Sequence, residues 1–539
     1  MRTSFGLFSR QWLPVFDFHG LLRRAGPLCI AFLMVACASQ DSTAPIGYDE
    51  ARAEHLFSAS YQYVSEIYIE EVAVADLAVA GMSSLASIDP AIGIDRDADR
   101  LRISINDISM ASYPLPDEDD AQAWGALTAA VISAARYHSP DLNSAEPEQL
   151  YETVFDGLLS QLDSYSRYAG RDAAREHRAS REGFGGIGVR IRLIEEGVLV
   201  LSVMEDTPAQ DAGLKQDDVI VAIDEESVAG LSQREVVNRL RGRTGTEVAL
   251  SIERESATPI SIAVVRTHIV PQTVTYRREG NLGYIKMTGF NNGTANGLRQ
   301  KIRQAQNEIG DDLNGFILDL RGNPGGLLEQ AIAVSDIFVT SGRIVSTHGR
   351  HNDSHQYFRA KSDDLTKSAP LVVLIDGGSA SAAEIVAAAL QDSGRAVLVG
   401  SASFGKGTVQ TVQPLPNTGE FILTWARFHA PSGYALHRRG VLPDICTTGD
   451  VATSADVMNL INSGALPIAM DLRRLDIDSN DDDAVEALRA NCPAREGDAE
   501  IDVTVARQLL EEPGLYARAL HGLPDTAAST HSAPVGSGS

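Results

Sequence analysis

The chain has 539 residues, 44% of them apolar and 22% charged, the balance of a soluble globular protein with room for three or four domains. Its formal charge of -26 excludes a nonspecific nucleic-acid binder, since a polyanion would repel it.

Residues 1–36 read as a signal peptide. Arg2, Arg10, Arg23 and Arg24 precede the apolar run AGPLCIAFLMVA, which is too short to span a bilayer. The run ends in Met34-Val35-Ala36-Cys37, which resembles a bacterial lipobox, and that resemblance implies Cys37 as a lipidated first residue. A plain signal peptide cut nearby is the alternative. The expected location is the periplasmic side of the cell envelope. The absence of aspartate at Ala38 favours the outer membrane for a lipid-anchored form.

Residues 37–180 read as an N-terminal helical region. After a polar tether, 51–89 places Leu56, Tyr61, Val64, Ile67 and Tyr68 on roughly one helical face. Residues 90–120 are acidic and read as irregular, with LPDEDD as a loop; helices are expected near 121–137 and 147–162. SSLASID (83–89) and LSQLDSYSRYAG (159–170) are faintly alike, as in a divergent helical repeat.

Residues 181–268 change to short strand-like runs, GVRIRL, GVLVLSVM, DVIVAID, EVALSIER and ISIAVVR, with two helical interruptions. GFGGIG (183–188) matches a dinucleotide-binding glycine pattern, but a strand follows it where that fingerprint requires a helix. It fits a PDZ-like module instead, in which such a loop offers Gly186, Ile187 and Gly188 as backbone donors to a peptide's terminal carboxylate. TPAQDAGLKQDDVIVAIDEE (207–226) is also PDZ-like. A small β-barrel without a ligand is the alternative.

Residues 269–447 alternate strands and helices, the rhythm of an α/β core with parallel strands. Two glycine-rich turns, DLRGNPGG (319–326) and DGGSASAAE (376–384), each sit between a strand and a helix, where sites form in such sheets. Ser381 stands at a helix start. The N–H of Ala382, with an N–H from Gly325 or Gly326, could stabilise an oxyanion there. Ser381-Ala-Ala-Glu384 is equally a capping box, and Ser379 could serve as the cap instead, so the sequence leaves open which hydroxyl is free.

A nucleophilic serine needs a base. His348, His351 and His355 fall in a polar loop, and His429 and His437 flank a Pro-Ser-Gly turn, so none has a clear place. Lysine is the alternative partner. GSASFGK (400–406) comes close to a phosphate-binding loop, but Gly407 occupies the required Ser/Thr place and a strand-like TVQTVQPL follows. Lys406, between two glycines and next to Phe404, suits a buried unpaired amine. Bringing its pKa to about 7–8 disfavours the charge by roughly 4 kcal/mol, within reach of desolvation.

Of four cysteines, Cys29 and Cys37 belong to the export segment, which leaves Cys446 and Cys492 as an expected disulfide, with two buried thiols as the alternative. Residues 448–523 read as a C-terminal helical region, and 524–539, rich in Ser, Gly and Ala, as a disordered tail.

DLRGNPGG, GSASAAEI, ALQDSGRAVLVG, FGKGTVQ, APSG and GVLPDI, in order, with LDSYSRY and the PDZ-like module upstream, resemble the C-terminal processing peptidases, or tail-specific proteases. The likeness spans about 149–446. It implies a multidomain α/β fold: a crotonase/ClpP-like α/β protease core with a PDZ domain, flanked by the N-terminal and C-terminal helical regions. It implies a serine endopeptidase with Ser381 as nucleophile, Lys406 as general base and Gln410 positioning the lysine, with neither cofactor nor metal. Arg321 and Asn323 would support the site, and Arg241 would couple the PDZ to the core. The partners implied are proteins or peptides with free apolar C-termini. The regions outside the likeness are candidates for an adaptor or homo-oligomer contact. Ala383, where the family often has serine, and the unusual HAPSGYALHRRG depart from the pattern. The rivals are a noncatalytic PDZ scaffold of the cell envelope, against which the intact Ser381, Lys406 and Gln410 speak, and a crotonase-like acyl-CoA enzyme, against which the PDZ and export signal speak.

Overall fold

The computed structural model describes residues 47–254, 256–449, 453–463, 475, 477–497 and 499–521. The signal segment, Cys37 and the 524–539 tail lie outside the described residues.

The N-terminal region packs the helices Glu50–Ile67 and Ala121–His138 against each other, each opened by an aspartate cap: Asp49 accepts the Arg52 N–H and Asp120 the Ala123 N–H. Leu56, Phe57, Tyr61 and Val64 are buried along one face of the first helix. The stretch read as irregular is not so. Ile92–Arg96, Arg100–Ile105 and Ile108–Pro114 form a three-stranded antiparallel sheet. Its signals are the alternation that buries Leu101 and Ile103, and a two-residue hairpin at Asn106-Asp107, both with positive φ (48° and 65°). The acidic residues masked that pattern because they supply the turns. The region is therefore mixed rather than helical throughout. It also sends a short strand, Arg167–Ala169, to pair with Glu420–His429 of the core.

The PDZ-like module is a sheet in the order Ser256–Val265, Glu247–Arg254, Val219–Ile223, Gly197–Val203, Val189–Ile194. The last strand is an edge. Ile187, Val198, Ile220, Val236 and Leu250 fill a small core of its own.

The α/β core is a six-stranded sheet in the order Val274–Glu279, Leu282–Met287, Gly315–Asp319, Leu371–Ile375, Val397–Gly400, Ile445–Cys446, parallel except for its first pair. Its central strands are buried along their whole length because both faces are covered. The helices Thr294–Ile309, Leu328–Ser335 and Ala382–Asp392 contribute to the core on one face. Ser454–Ser463, Glu500–Glu511 and Pro513–His521 contribute to the core on the other. A second sheet, ordered Gln356–Arg359, Arg343–His348, Glu420–His429, Thr408–Pro414, carries Thr408 and Gln410 just after Lys406. Phe421 and Leu423 of this sheet join the N-terminal core, so the two regions share apolar packing.

Candidate active site

The turns 319–326 and 376–381 meet at the ends of adjacent parallel strands. Asp376 fastens them, its carboxylate accepting the N–H groups of Gly322 (2.9 Å), Gly378 (3.0 Å) and Gly497 (3.0 Å). Asn323 accepts the Gly325 N–H at 2.9 Å, donates to Met287 O at 2.9 Å, and its own carbonyl accepts the Ala380 N–H at 2.9 Å. Arg321 is 3% exposed and reaches Asp319, Asp502 and the Ala499 carbonyl, so its guanidinium braces the turn from beneath. Its pKa lies above the ordinary arginine value: the Asp319 carboxylate more than offsets the opposing effect of burial.

The two serines weighed as the cap take different places: Ser381 forms the capping box with Glu384, and Ser379 is withdrawn into the turns. Ser379 is fully buried; its hydroxyl donates to Leu320 O and accepts the Asp376 N–H. Ser381 is half-buried at the mouth of the Ala382–Asp392 helix, with φ 55° and ψ -113°. A left-handed serine is sparsely populated and costs of order 1–3 kcal/mol, a cost found where a side chain is held out of the helix path.

Gly325 lies against this turn. A Cβ there would meet Ser381 Cβ at 2.8 Å and Ala382 N at 2.9 Å, and its φ is 97°. Of the two glycines considered as oxyanion donors, Gly325 is turned away, because its N–H is held by Asn323. The Gly326 N–H and the first-turn Ala382 N–H have no hydrogen-bond partner recorded among the described residues.

Lys406 is brought to the same place by Glu384. This carboxylate, 0% exposed, accepts the Ser381 N–H (2.7 Å), the Lys406 N–H (2.9 Å), the Gly405 N–H (2.7 Å) and the Ser403 hydroxyl (2.5 Å). Burial pushes its pKa up, against those four donors. Gly407 lets the lysine loop press on the segment beyond the Pro-Ser-Gly turn, for a Cβ there would fall 1.9 Å from His437 N. The Lys406 amine has no hydrogen bond or ion pair among the described residues, and so none to Ser381; it sits 4.9 Å from the centroid of the Tyr165 ring. Burial, then the nearby Arg167, pulls its pKa below the ordinary lysine value, while Asp163 and Glu384 oppose this.

Gln410, expected to hold the lysine, is engaged elsewhere. Its amide donates to Thr408 Oγ1 (2.8 Å) and Thr424 Oγ1 (3.2 Å), and Thr424 in turn donates to Asp163 (3.0 Å). A bulge between Val409 and Gln410 sets it facing Thr424 across the hairpin.

Gly186 lies in a short ladder with Thr267; Ile187 is 2% exposed in the PDZ-like core, and Gly188 leads into the edge strand Val189–Ile194. Among the described residues Arg241 makes no hydrogen bond or ion pair to the core. Its guanidinium lies over the Phe184 ring (4.1 Å) and pairs with Glu176 (2.7 Å) on the helix Arg171–Glu182, whose Arg178 and Arg181 bind Glu420 of the second sheet. Cys446 and Cys492 are joined by a disulfide.

Sequence reasoning gave Glu384 only as the end of a capping box and LDSYSRY only as a shared phrase. Asp163 and Tyr165 in that phrase face the lysine from more than 200 residues away in the chain, a separation no local spacing encodes.

A family model described as peptidase family S41 matches residues 281–447, and one described as a PDZ domain matches 185–261. The chain is 43% identical over 303 residues to a carboxy-terminal-processing protease of Bartonella bacilliformis, covering 56% of this chain and 70% of that one. It is 34% identical over 304 residues to the carboxy-terminal processing protease CtpA of Bacillus subtilis, covering 56% of this chain and 64% of that one. Among solved structures, a photosystem II D1 C-terminal processing protease aligns at 23% identity over 73% of this chain and 92% of its own, with a TM-score of 0.37.

Proposed function

This chain belongs to peptidase family S41 as a carboxy-terminal processing serine protease with a PDZ domain, and we propose that it cleaves with a Ser381–Lys406 dyad after its PDZ domain captures a substrate's free apolar C-terminus. The observation that carries this reading is the single buried Glu384 carboxylate, which binds the backbone N–H of both Ser381 and Lys406.

The neutral Lys406 amine takes the hydroxyl proton as Ser381 Oγ attacks the scissile carbonyl carbon. The resulting oxyanion accepts hydrogen bonds from the N–H groups of Ala382 and Gly326. The lysine, now an ammonium, gives its proton to the departing amine as the C–N bond breaks, leaving an ester on Ser381. Water then attacks the ester, its proton passing to Lys406, and the serine leaves with that proton as the new carboxyl terminus forms. Bonds between nucleophile and base are often long without substrate and tighten in the Michaelis complex, in keeping with the unbonded amine described above.

The substrate tail would add to the Val189–Ile194 edge as an extra strand, its carboxylate at the Gly186–Gly188 loop. The enzyme would be exported and held on the periplasmic side of a membrane through Cys37.

Lys406→Ala and Ser381→Ala each abolish cleavage of a peptide with an apolar C-terminus while leaving its affinity for the protein intact, and amidating that C-terminus weakens binding. A Lys406→Ala enzyme cleaving at the wild-type rate would end the dyad reading. In fractionated cells, Cys37→Ser moves the protein from membrane to soluble fractions; unchanged membrane partition would remove the anchor.

A further inference from the structure

We propose that Tyr165, supplied by the N-terminal region, is a positioning residue that roofs the Lys406 amine and keeps bulk water from it. The proposal rests on Lys406 being the base.

The roof is held firmly. Asp163 forms a tight turn under it, its carboxylate accepting the Tyr165 N–H (2.8 Å), the Ser166 N–H (3.2 Å) and the Ser166 hydroxyl (2.8 Å). The Asp163 N–H donates to the Tyr68 hydroxyl (3.0 Å), which fixes the turn to the end of the first helix. The Thr424 hydroxyl donates to Asp163 (3.0 Å) and the Thr424 N–H to the Ser166 hydroxyl (3.1 Å), which fixes it to the second sheet. Arg167–Ala169 then pairs with that sheet. Tyr165 is thus pinned on both sides, with the lysine amine 4.9 Å from its ring centroid.

An aromatic ring acts on an amine in two opposed ways. Its negative face attracts the ammonium, an effect within reach at separations up to about 6 Å. Its bulk excludes water, which disfavours the ammonium. The charged and titratable neighbours of Lys406 are Arg167 on the short strand, Asp163 in the turn below Tyr165, Glu384 on the helix after Ser381, and the imidazole-bearing His437 segment packed on Gly407. Arg167 works with burial, Asp163 and Glu384 against it, and the net shift is downward with burial the first cause. The role given to Tyr165 is the second, cover, which the N-terminal region supplies with a ring 4.9 Å from the amine.

The test is the pH profile of kcat/KM for a C-terminally apolar peptide, on full-length enzyme whose folding is confirmed by thermal melting. Tyr165→Ala moves the acidic limb up by about one pH unit, roughly a tenfold loss of neutral amine at any pH below the limb. Tyr165→Phe restores the limb to its wild-type position, since the contact is made by the ring. Tyr165→Leu, which keeps apolar bulk without the aromatic face, holds the limb within a few tenths of a unit and serves if the alanine variant does not fold. A limb that stays put or moves down in the alanine variant, or one that rises by a full unit in the leucine variant, overturns the proposal. Lys406→Ala is run alongside: if it is active, the dyad reading fails, whereas an inactive Lys406→Ala with an unmoved alanine-variant limb removes only the role given to Tyr165.

Discussion

On the Ser381 side of the site, the two turns bond within and between themselves, Asp376 to Gly322 and Gly378, Asn323 to Gly325 and Ala380, Ser379 to Leu320, with outer braces at Met287, Asp502 and Gly497. On the Lys406 side, the loop is short of internal bonds and is assembled by distant partners: Glu384 from the helix, Tyr165 and Asp163 from the N-terminal region, and the His437 segment against Gly407. Ser381 is held by two turns that fasten each other, and Lys406 by packing from separate segments. The first should respond most to a change in its own turns and their brace, and the second to contacts made far from it.

The largest expected effect tests the first half. Gly325→Ala would force a methyl to 2.8 Å from Ser381 Cβ, at a φ of 97° that alanine resists. The turn must open, and the Ala382 and Gly326 N–H groups, the oxyanion donors of the proposed reaction, shift with it. A loss of about 10²–10³ in kcat is expected, the cost of a displaced oxyanion donor, with peptide affinity for the PDZ domain retained. Unaltered kcat would mean that the close packing of these turns does not matter to the reaction.

This contrast also explains what could be read from the chain. DLRGNPGG and GSASAAEI are each contiguous, so the turns and the helix start follow from spacing and glycine chemistry, while the supporting roles of Arg321 and Asn323 are implied only by the family likeness. The strands flanking them are short apolar runs between turn signals, and the module at 181–268 has a similar grammar. The other side was legible only at Lys406 itself. Glu384 could be seen as a capping residue because its partner at Ser381 is three positions away, but its donors at 403, 405 and 406 come from another loop. Gln410 was placed on the lysine by likeness, whereas the bulge beside it turns its amide to Thr408 and Thr424. The 92–114 sheet went unread because aspartates that look like loop also make hairpin turns.

The second effect sharpens the picture of the Ser381 side by attacking its outer brace. The disulfide closes a 46-residue separation, which stabilises by about 4 kcal/mol on a chain-entropy estimate. It also fixes the segment whose Arg495 carbonyl accepts the Gly377 N–H (2.7 Å) and whose Gly497 N–H meets Asp376. Cys492→Ser should lower the melting temperature of the core, and reductant should do the same to the wild type but nothing further to the variant. Equal melting of all three would show that this brace is redundant with the apolar packing of the C-terminal helices.

The smallest effect belongs to the Lys406 side, on the sheet that follows the lysine loop. Glu420, 3% exposed on the second sheet, accepts from Arg178 and Arg181 of the Arg171–Glu182 helix, which also carries the PDZ contacts Arg234–Asp172 and Arg241–Glu176. Burial alone would raise its pKa, but the two guanidinium groups, Arg181 foremost, hold it below the ordinary glutamate value. A depressed carboxyl pKa means that the folded state binds the proton less readily than the unfolded one. The stability contributed is present above the unfolded value near 4.5 and is lost as pH falls through the lower folded value. Glu420→Gln should therefore cost about 1–2 kcal/mol at neutral pH, modest because Arg178 and Arg181 remain partly exposed and can rehydrate. In melts taken from pH 7 to pH 3, the gap between wild type and variant should close through that acidic window. A gap that is constant across it would place the contribution of Glu420 in packing, and the helix that links PDZ to sheet would then be held by shape rather than charge.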